Sequence, residues 1–203
     1  MQIIILPEIY GRTSFITKLE AVFLKQDIPV KTLDLYEGEQ PVFTDEQQAY
    51  DHFINSGGHD EYLALLQKAI QQTEGPLFIL GFSVGASTVW RVLDNPDIAK
   101  RVQRFVGFYS SQIRHYLSVN PECPVTLIFP KEETHFSVRD IIDVVQRKDF
   151  VTCYQSEALH GFLNPHSNNF ISELSDEFLR VFQGSYCDNW VSRLDAYLLK
   201  AFK

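Results

Sequence analysis

Cysteine is scarce in this chain. Three occur in 203 residues, Cys123, Cys153 and Cys187, and no two share C-x-x-C spacing. That excludes a disulfide framework or a zinc knuckle as the organising device. Long apolar runs are missing too, since no stretch approaches the ~18 residues of a membrane-spanning helix. Residues 1–11 hold a short apolar run with no basic residue before it and Glu8 just after it, which is not the layout of a signal peptide. Basic residues are outnumbered: 18 Lys and Arg stand against 26 Asp and Glu, for a formal charge of −8. Nucleic-acid binding needs a basic footprint, and no segment offers one. The Gly-x-x-x-x-Gly-Lys of a phosphate-binding loop is also absent.

What remains is the composition of a globular protein, 45% hydrophobic and 22% charged, long enough to bury a core without staples. The expectation is one domain over residues 1–203, soluble and cytoplasmic, with no interdomain linker and no internal repeat.

Short β-rich apolar runs alternate with helical patterns. Strands are predicted at 3–6, 30–35, 77–80, 105–109, 125–129 and 151–154. Several are almost continuously apolar, as strands buried on both faces of a parallel sheet must be. Helices are predicted at 14–25, at 60–72 and after Ser137, which can cap with its side chain toward Asp140. The class is therefore α/β, with about six mainly parallel strands flanked by helices. Residues 37–59 are polar, end in a glycine pair and are too long for an ordinary connection, so they read as a loop with a short helix. Residues 165–203 form a helical tail, with helices near 171–182 and 188–202 and Gly184 ending the first.

The sharpest local feature is Gly81-Phe82-Ser83-Val84-Gly85, entered from a strand and left through helical sequence. A serine in such a turn projects its hydroxyl freely, and the small residues around it let strand and helix approach closely. The helix start also aims backbone N–H groups at developing negative charge. An ordinary strand-to-helix turn is the alternative. A nucleophilic serine needs a base, and six histidines are available. His160, beyond the last predicted strand, fits best, with His166 its nearest rival. A carboxylate should follow strand 125–129, where Glu132 and Glu133 compete; Glu133 is the preferred acid, and a solvated charged turn is the bland alternative.

Taken in order, Pro7-Glu8-Ile9-Tyr10-Gly11, Gly81-Phe82-Ser83-Val84-Gly85, residues 129–133 and His160-Gly161-Phe162 resemble the dienelactone hydrolase family of the α/β-hydrolase fold. The resemblance runs over residues 1 to about 164 and implies Ser83 as nucleophile, His160 as base and Glu133 as acid. It implies an oxyanion hole of the Val84 and Ile9 N–H groups. It also implies a compact version of the fold, truncated at its N-terminus, with strand order 2-1-3-4-5-6 and ligand binding at the crevice beside Glu8 and Ser83. Typical members use cysteine where Ser83 stands, and their glutamate matching Glu8 contacts that cysteine. With a serine, Glu8 is left to orient the turn, line the pocket or anchor its loop.

The family's lactone hydrolases hold a substrate carboxylate with arginines. Here Leu163-Asn164 follows the histidine motif, and residues 37–76 contain no arginine. A small neutral acyl ester, lactone or thioester is therefore the expected partner, with no cofactor and no metal. Tyr10, Phe82, Tyr109, Phe162 and Asn164 are the candidate substrate contacts, although core packing explains the aromatic ones equally well. Either a monomer or a homodimer fits. A second reading is a binding or regulatory protein that keeps the hydrolase scaffold without activity. A third, a flavodoxin-like binder, leaves His160 without a role.

Overall fold

Four strands of the sheet are buried along nearly their whole length, which is why their sequences read as apolar runs. They are β1 (Gln2–Leu6), β3 (Leu77–Phe82), β4 (Val102–Phe108) and β5 (Val125–Phe129). The two edges, β2 (Val30–Thr32) and β6 (Val151–Gln155), are half-exposed and more polar. The computed structural model describes residues 1–36, 38, 39, 41–183 and 190–202, with the Trp190 side chain left aside. Every pairing is parallel, in the order β2-β1-β3-β4-β5-β6. That is the strand order expected from the resemblance, and "mainly parallel" becomes wholly parallel among the described residues.

Strand residues alternate between two cores. Ile4, Leu6, Leu77, Ile79, Leu127 and Phe129 face one layer, built from α2 (Glu46–Asn55), α3 (Gly58–Gln72), α4 (Val84–Trp90), the single turn α5 (Pro96–Ala99) and α6 (Val138–Val145). Ile3, Ile5, Phe78, Leu80, Val106 and Ile128 face the other, built from α1 (Ser14–Leu24), α7 (Ser172–Phe182) and α8 (Trp190–Ala201). The helices begin where side chains can satisfy free N–H groups. Asp45 accepts from the Gln48 N–H at 2.8 Å at the start of α2, and Ser137 accepts from Asp140 at 3.2 Å at the start of α6.

Some boundaries differ from the sequence reading. β2 stops at Thr32 rather than residue 35 because Asp34 accepts from the Tyr36 N–H at 2.8 Å, turning the chain off the sheet edge. β4 starts at Val102, three residues before the predicted 105, because Arg104 is neutralised by Asp195 of α8 and bonds Thr126. It ends at Phe108, since Tyr109 has φ 38° and leaves the strand. The loop at 37–59 contains α2. In the tail, Phe178 and Phe182 are buried, as core docking requires, while Gly184, Cys187 and the predicted helix start at 188 lie outside the described residues. No helix among the described residues is long and apolar enough to cross a membrane.

Candidate active site

Ser83 alone makes the turn between β3 and α4. Its backbone stands at φ 50° and ψ −116°, a strained conformation for a residue with a side chain. The turn is held from below: the Ser83 N–H donates to the Phe108 carbonyl at 2.9 Å, and the Ser87 hydroxyl donates to the Ser83 carbonyl at 3.2 Å. Both flanking glycines are required by space. A Cβ on Gly81 would lie 2.6 Å from Ala86 Cα, and one on Gly85 would lie 2.3 Å from the Leu6 carbonyl oxygen. Those are backbone atoms that cannot swing aside. Gly85→Ala is expected to destabilise the fold by about 2–3 kcal/mol, read as a lower denaturation midpoint at unchanged slope. The same change displaces the start of α4 from the end of β1.

The Ser83 Oγ lies 2.9 Å from His160 Nε2, and His160 Nδ1 lies 2.7 Å from Glu133 Oε1. An ionised carboxylate only accepts, so Nδ1 carries the hydrogen and Nε2 is left with the lone pair that faces the serine. Burial disfavours the imidazolium, but the Glu133 hydrogen bond and charge, with Glu8 and Glu46 behind them, outweigh it and raise the His160 pKa above 6.5. His160 stands just before Gly161, whose φ of 78° turns the chain, and Asn169 donates to the His160 carbonyl at 2.9 Å. Glu132, the competing acid, is exposed. His166 stacks on the Tyr10 ring, centroids 5.5 Å apart, while the serine hydroxyl faces His160.

Glu8 faces the same cavity. The Tyr109 hydroxyl donates to its Oε1 at 3.1 Å, and the Asn164 amide donates to its Oε2 at 2.9 Å. Burial pushes its carboxyl upward, while the His160 charge and the Asn164 and Tyr109 hydrogen bonds pull it down. Ile9 and Val84 line the cavity, and among the described residues no carbonyl or side chain accepts from either N–H. Two residues of the cavity wall, from separate elements, thus keep an N–H without a protein acceptor among the described residues, and an oxyanion needs such donors.

The cavity over these groups has a volume of about 850 Å³. Tyr10 and Asn164 line it, as the sequence suggested. Phe82, Tyr109 and Phe162 do not: each is 2% exposed or less and packs in the core. Phe82 alternates away from the site and stacks on Phe108 at 5.0 Å, and Phe162 sits edge-on to Tyr109 at 5.1 Å. Tyr109 meets the site from beneath, its hydroxyl on Glu8 and its ring 5.0 Å from the His160 imidazole. These three are corrections to the expected substrate contacts. The sequence reading also missed wall residues. Arg114, on the 3-10 turn Ser111–His115, enters the cavity with its guanidinium 4.9 Å over the Phe136 ring. Asp45, Glu46 and Tyr50 enter it from the start of α2. No spacing signals them, because elements far apart in sequence deliver them.

Sheet order and the serine turn at the end of β3 are those of the α/β-hydrolase fold. Within it, the model of the dienelactone hydrolase family matches residues 1–183, and the chain belongs to that family. By family it is a hydrolase. It is 35% identical over 173 residues to the uncharacterized protein YczH of Bacillus subtilis (strain 168), a match covering 83% of each chain. Two solved structures share its fold at low identity. A proposed dienelactone hydrolase of Klebsiella pneumoniae subsp. pneumoniae MGH 78578 superposes with a TM-score of 0.65 at 14% identity, covering 86% of this chain and 81% of that one. The dienelactone hydrolase-like promiscuous phosphotriesterase P91, from metagenomic libraries, gives 0.64 at 11%, covering 100% and 87%.

Proposed function

We propose that this protein hydrolyses a small carboxylic ester, lactone or thioester through an acyl-enzyme on Ser83, a serine standing where typical family members use cysteine. The observation that carries the proposal is the hydrogen-bond chain from Ser83 through His160 to Glu133, 2.9 and 2.7 Å long. In the first half-reaction Ser83 Oγ attacks the carbonyl carbon while its proton passes to His160 Nε2. The carbonyl oxygen takes up the negative charge and accepts from the Val84 and Ile9 N–H groups. The tetrahedral species collapses as His160 returns the proton to the leaving oxygen or sulfur. A water, deprotonated by His160, then attacks the acyl carbon, and Ser83 leaves with that proton.

A neutral substrate suits the walls better than an anion, because Asp45 and Glu46 stand among them with Arg114. A cavity of about 850 Å³ suits a small molecule. The test is treatment of the folded protein with a fluorophosphonate, read by intact mass and site mapping, followed by a panel of neutral p-nitrophenyl esters, lactones and thioesters. A stoichiometric adduct on Ser83 is expected. A folded protein that takes no adduct and turns over none of the panel would overturn the proposal.

The pH dependence follows from the base. His160 must be neutral to accept the serine proton, and its pKa lies above 6.5. kcat/KM is expected to rise with pH through an apparent pKa above that value, measured on a neutral ester whose own ionisation does not interfere.

A further inference from the structure

We propose that Tyr36 and Tyr62 are positioning residues for the oxyanion loop, their buried hydroxyls holding the carbonyls on either side of the Glu8–Ile9 peptide and so aiming the Ile9 N–H at the substrate. The inference rests on the serine hydrolase reading above and concerns residues that never touch substrate.

Residues 7–13 lie between β1 and α1 with no strand ladder to fix them. Yet each carbonyl from Pro7 to Ile9 has a hydrogen bond. Tyr62, on α3, places its hydroxyl 2.9 Å from the Pro7 carbonyl and 2.9 Å from the Leu33 carbonyl, serving one at a time. The Glu8 carbonyl accepts from the Gly11 N–H at 2.9 Å. Tyr36, just beyond β2, donates to the Ile9 carbonyl at 2.5 Å. In a planar trans peptide the N–H points opposite to the C=O. Fixing the Glu8 carbonyl toward Gly11, with the neighbouring peptides pinned, therefore fixes where the Ile9 N–H points.

Gly11 completes the device. It has φ 65°, and a Cβ there would lie 2.6 Å from Tyr36 Cδ2, so the phenol ring occupies the space a side chain would take. Neither tyrosine lines the cavity, and they are 6% and 2% exposed. Phenylalanine would pack as well in either place. The hydroxyls, not the rings, need an explanation, and among the described residues their acceptors besides Leu33 are the loop carbonyls. Burial raises both phenol pKa values, so both remain donors across the working range.

The test is Tyr36→Phe and Tyr62→Phe, each assayed for kcat and KM on a neutral ester and for affinity toward a boronic acid, whose tetrahedral adduct on Ser83 places an oxygen between Val84 and Ile9. The control is Tyr197→Phe, which removes a buried-edge hydrogen bond to Glu177 (2.7 Å) on the α7–α8 side. Expected is a loss in kcat of about tenfold per variant, part of what removal of a whole oxyanion donor costs, with KM within about twofold. Boronate affinity should fall by the same factor, and Tyr197→Phe should change neither. Should Tyr36→Phe not fold, Tyr62→Phe decides the question. Folded variants that keep wild-type kcat and boronate affinity would overturn the inference while leaving the hydrolase standing, as would equal losses in Tyr197→Phe. A wild-type protein that takes no fluorophosphonate and hydrolyses nothing would remove the reading beneath it as well.

Discussion

Ser83→Ala is expected to lower ester turnover about a millionfold and to abolish fluorophosphonate labelling, with little change in stability. The size of the effect comes from the unit to which the hydroxyl belongs. Once Oγ is gone, His160 has no proton to accept and no acyl group can be held, so only binding and the oxyanion donors remain. The fold should tolerate the change, because alanine meets the same backbone conformation at φ 50° as serine does. The hydrogen bonds that hold the turn, from the Ser83 N–H to Phe108 and from Ser87 to the Ser83 carbonyl, do not involve Oγ. Ser87 and Ser110 lie close by, bonded to each other at 2.9 Å. Adduct persisting on either in the Ser83→Ala protein would show that the activated hydroxyl had been wrongly assigned.

Glu133→Gln should cost about 10⁴-fold in kcat, whereas Glu132→Gln should be nearly neutral. The amide is almost isosteric, so the loss is one of tautomer and charge rather than of shape. A glutamine can donate to His160 Nδ1, which moves the ring hydrogen to Nε2 and leaves nothing there to accept from Ser83. The carboxylate that raises the His160 pKa is also lost. What activity remains should therefore keep its acid limb at lower pH than in the wild type. Steady-state kinetics across the pH range for both variants measures the two effects together. Equal losses at 132 and 133 would remove the assignment of the acid to either one.

How far the site could be read in advance depended on how local each signal was. Ser83 was legible because a strained turn demands small neighbours within two residues on each side, and Gly81 and Gly85 supply them in one five-residue stretch. The sheet was legible because strands covered on both faces leave long apolar runs. Sequence preferred Glu133 but kept Glu132 as its rival, since their directions depend on the backbone beyond β5, where Glu133 pairs in an isolated bridge with Phe136. Phe82, Tyr109 and Phe162 misled for a related reason. Phe82 and Phe162 belong to the serine and histidine motifs and Tyr109 follows β4, but alternation and packing bury all three rings. Arg114, Tyr36 and Tyr62 carry no spacing signal at all, because elements far apart in sequence bring them to the loop or the cavity.

The final helix bears on chemistry that lies far from it along the chain. Asp195 on α8 grips Arg104 of β4 through two hydrogen bonds, 2.9 and 2.5 Å long. Phe202 stacks on Phe178, which meets the Phe108 ring edge-on at 5.0 Å. The Phe108 carbonyl is the one that anchors the Ser83 amide. Trimming this helix, or burying it in a fusion joint, would loosen the footing of Ser83 without altering a single cavity residue. For anyone preparing the protein, the reactivity of Ser83 would then serve as a gauge of whether α8 is in place.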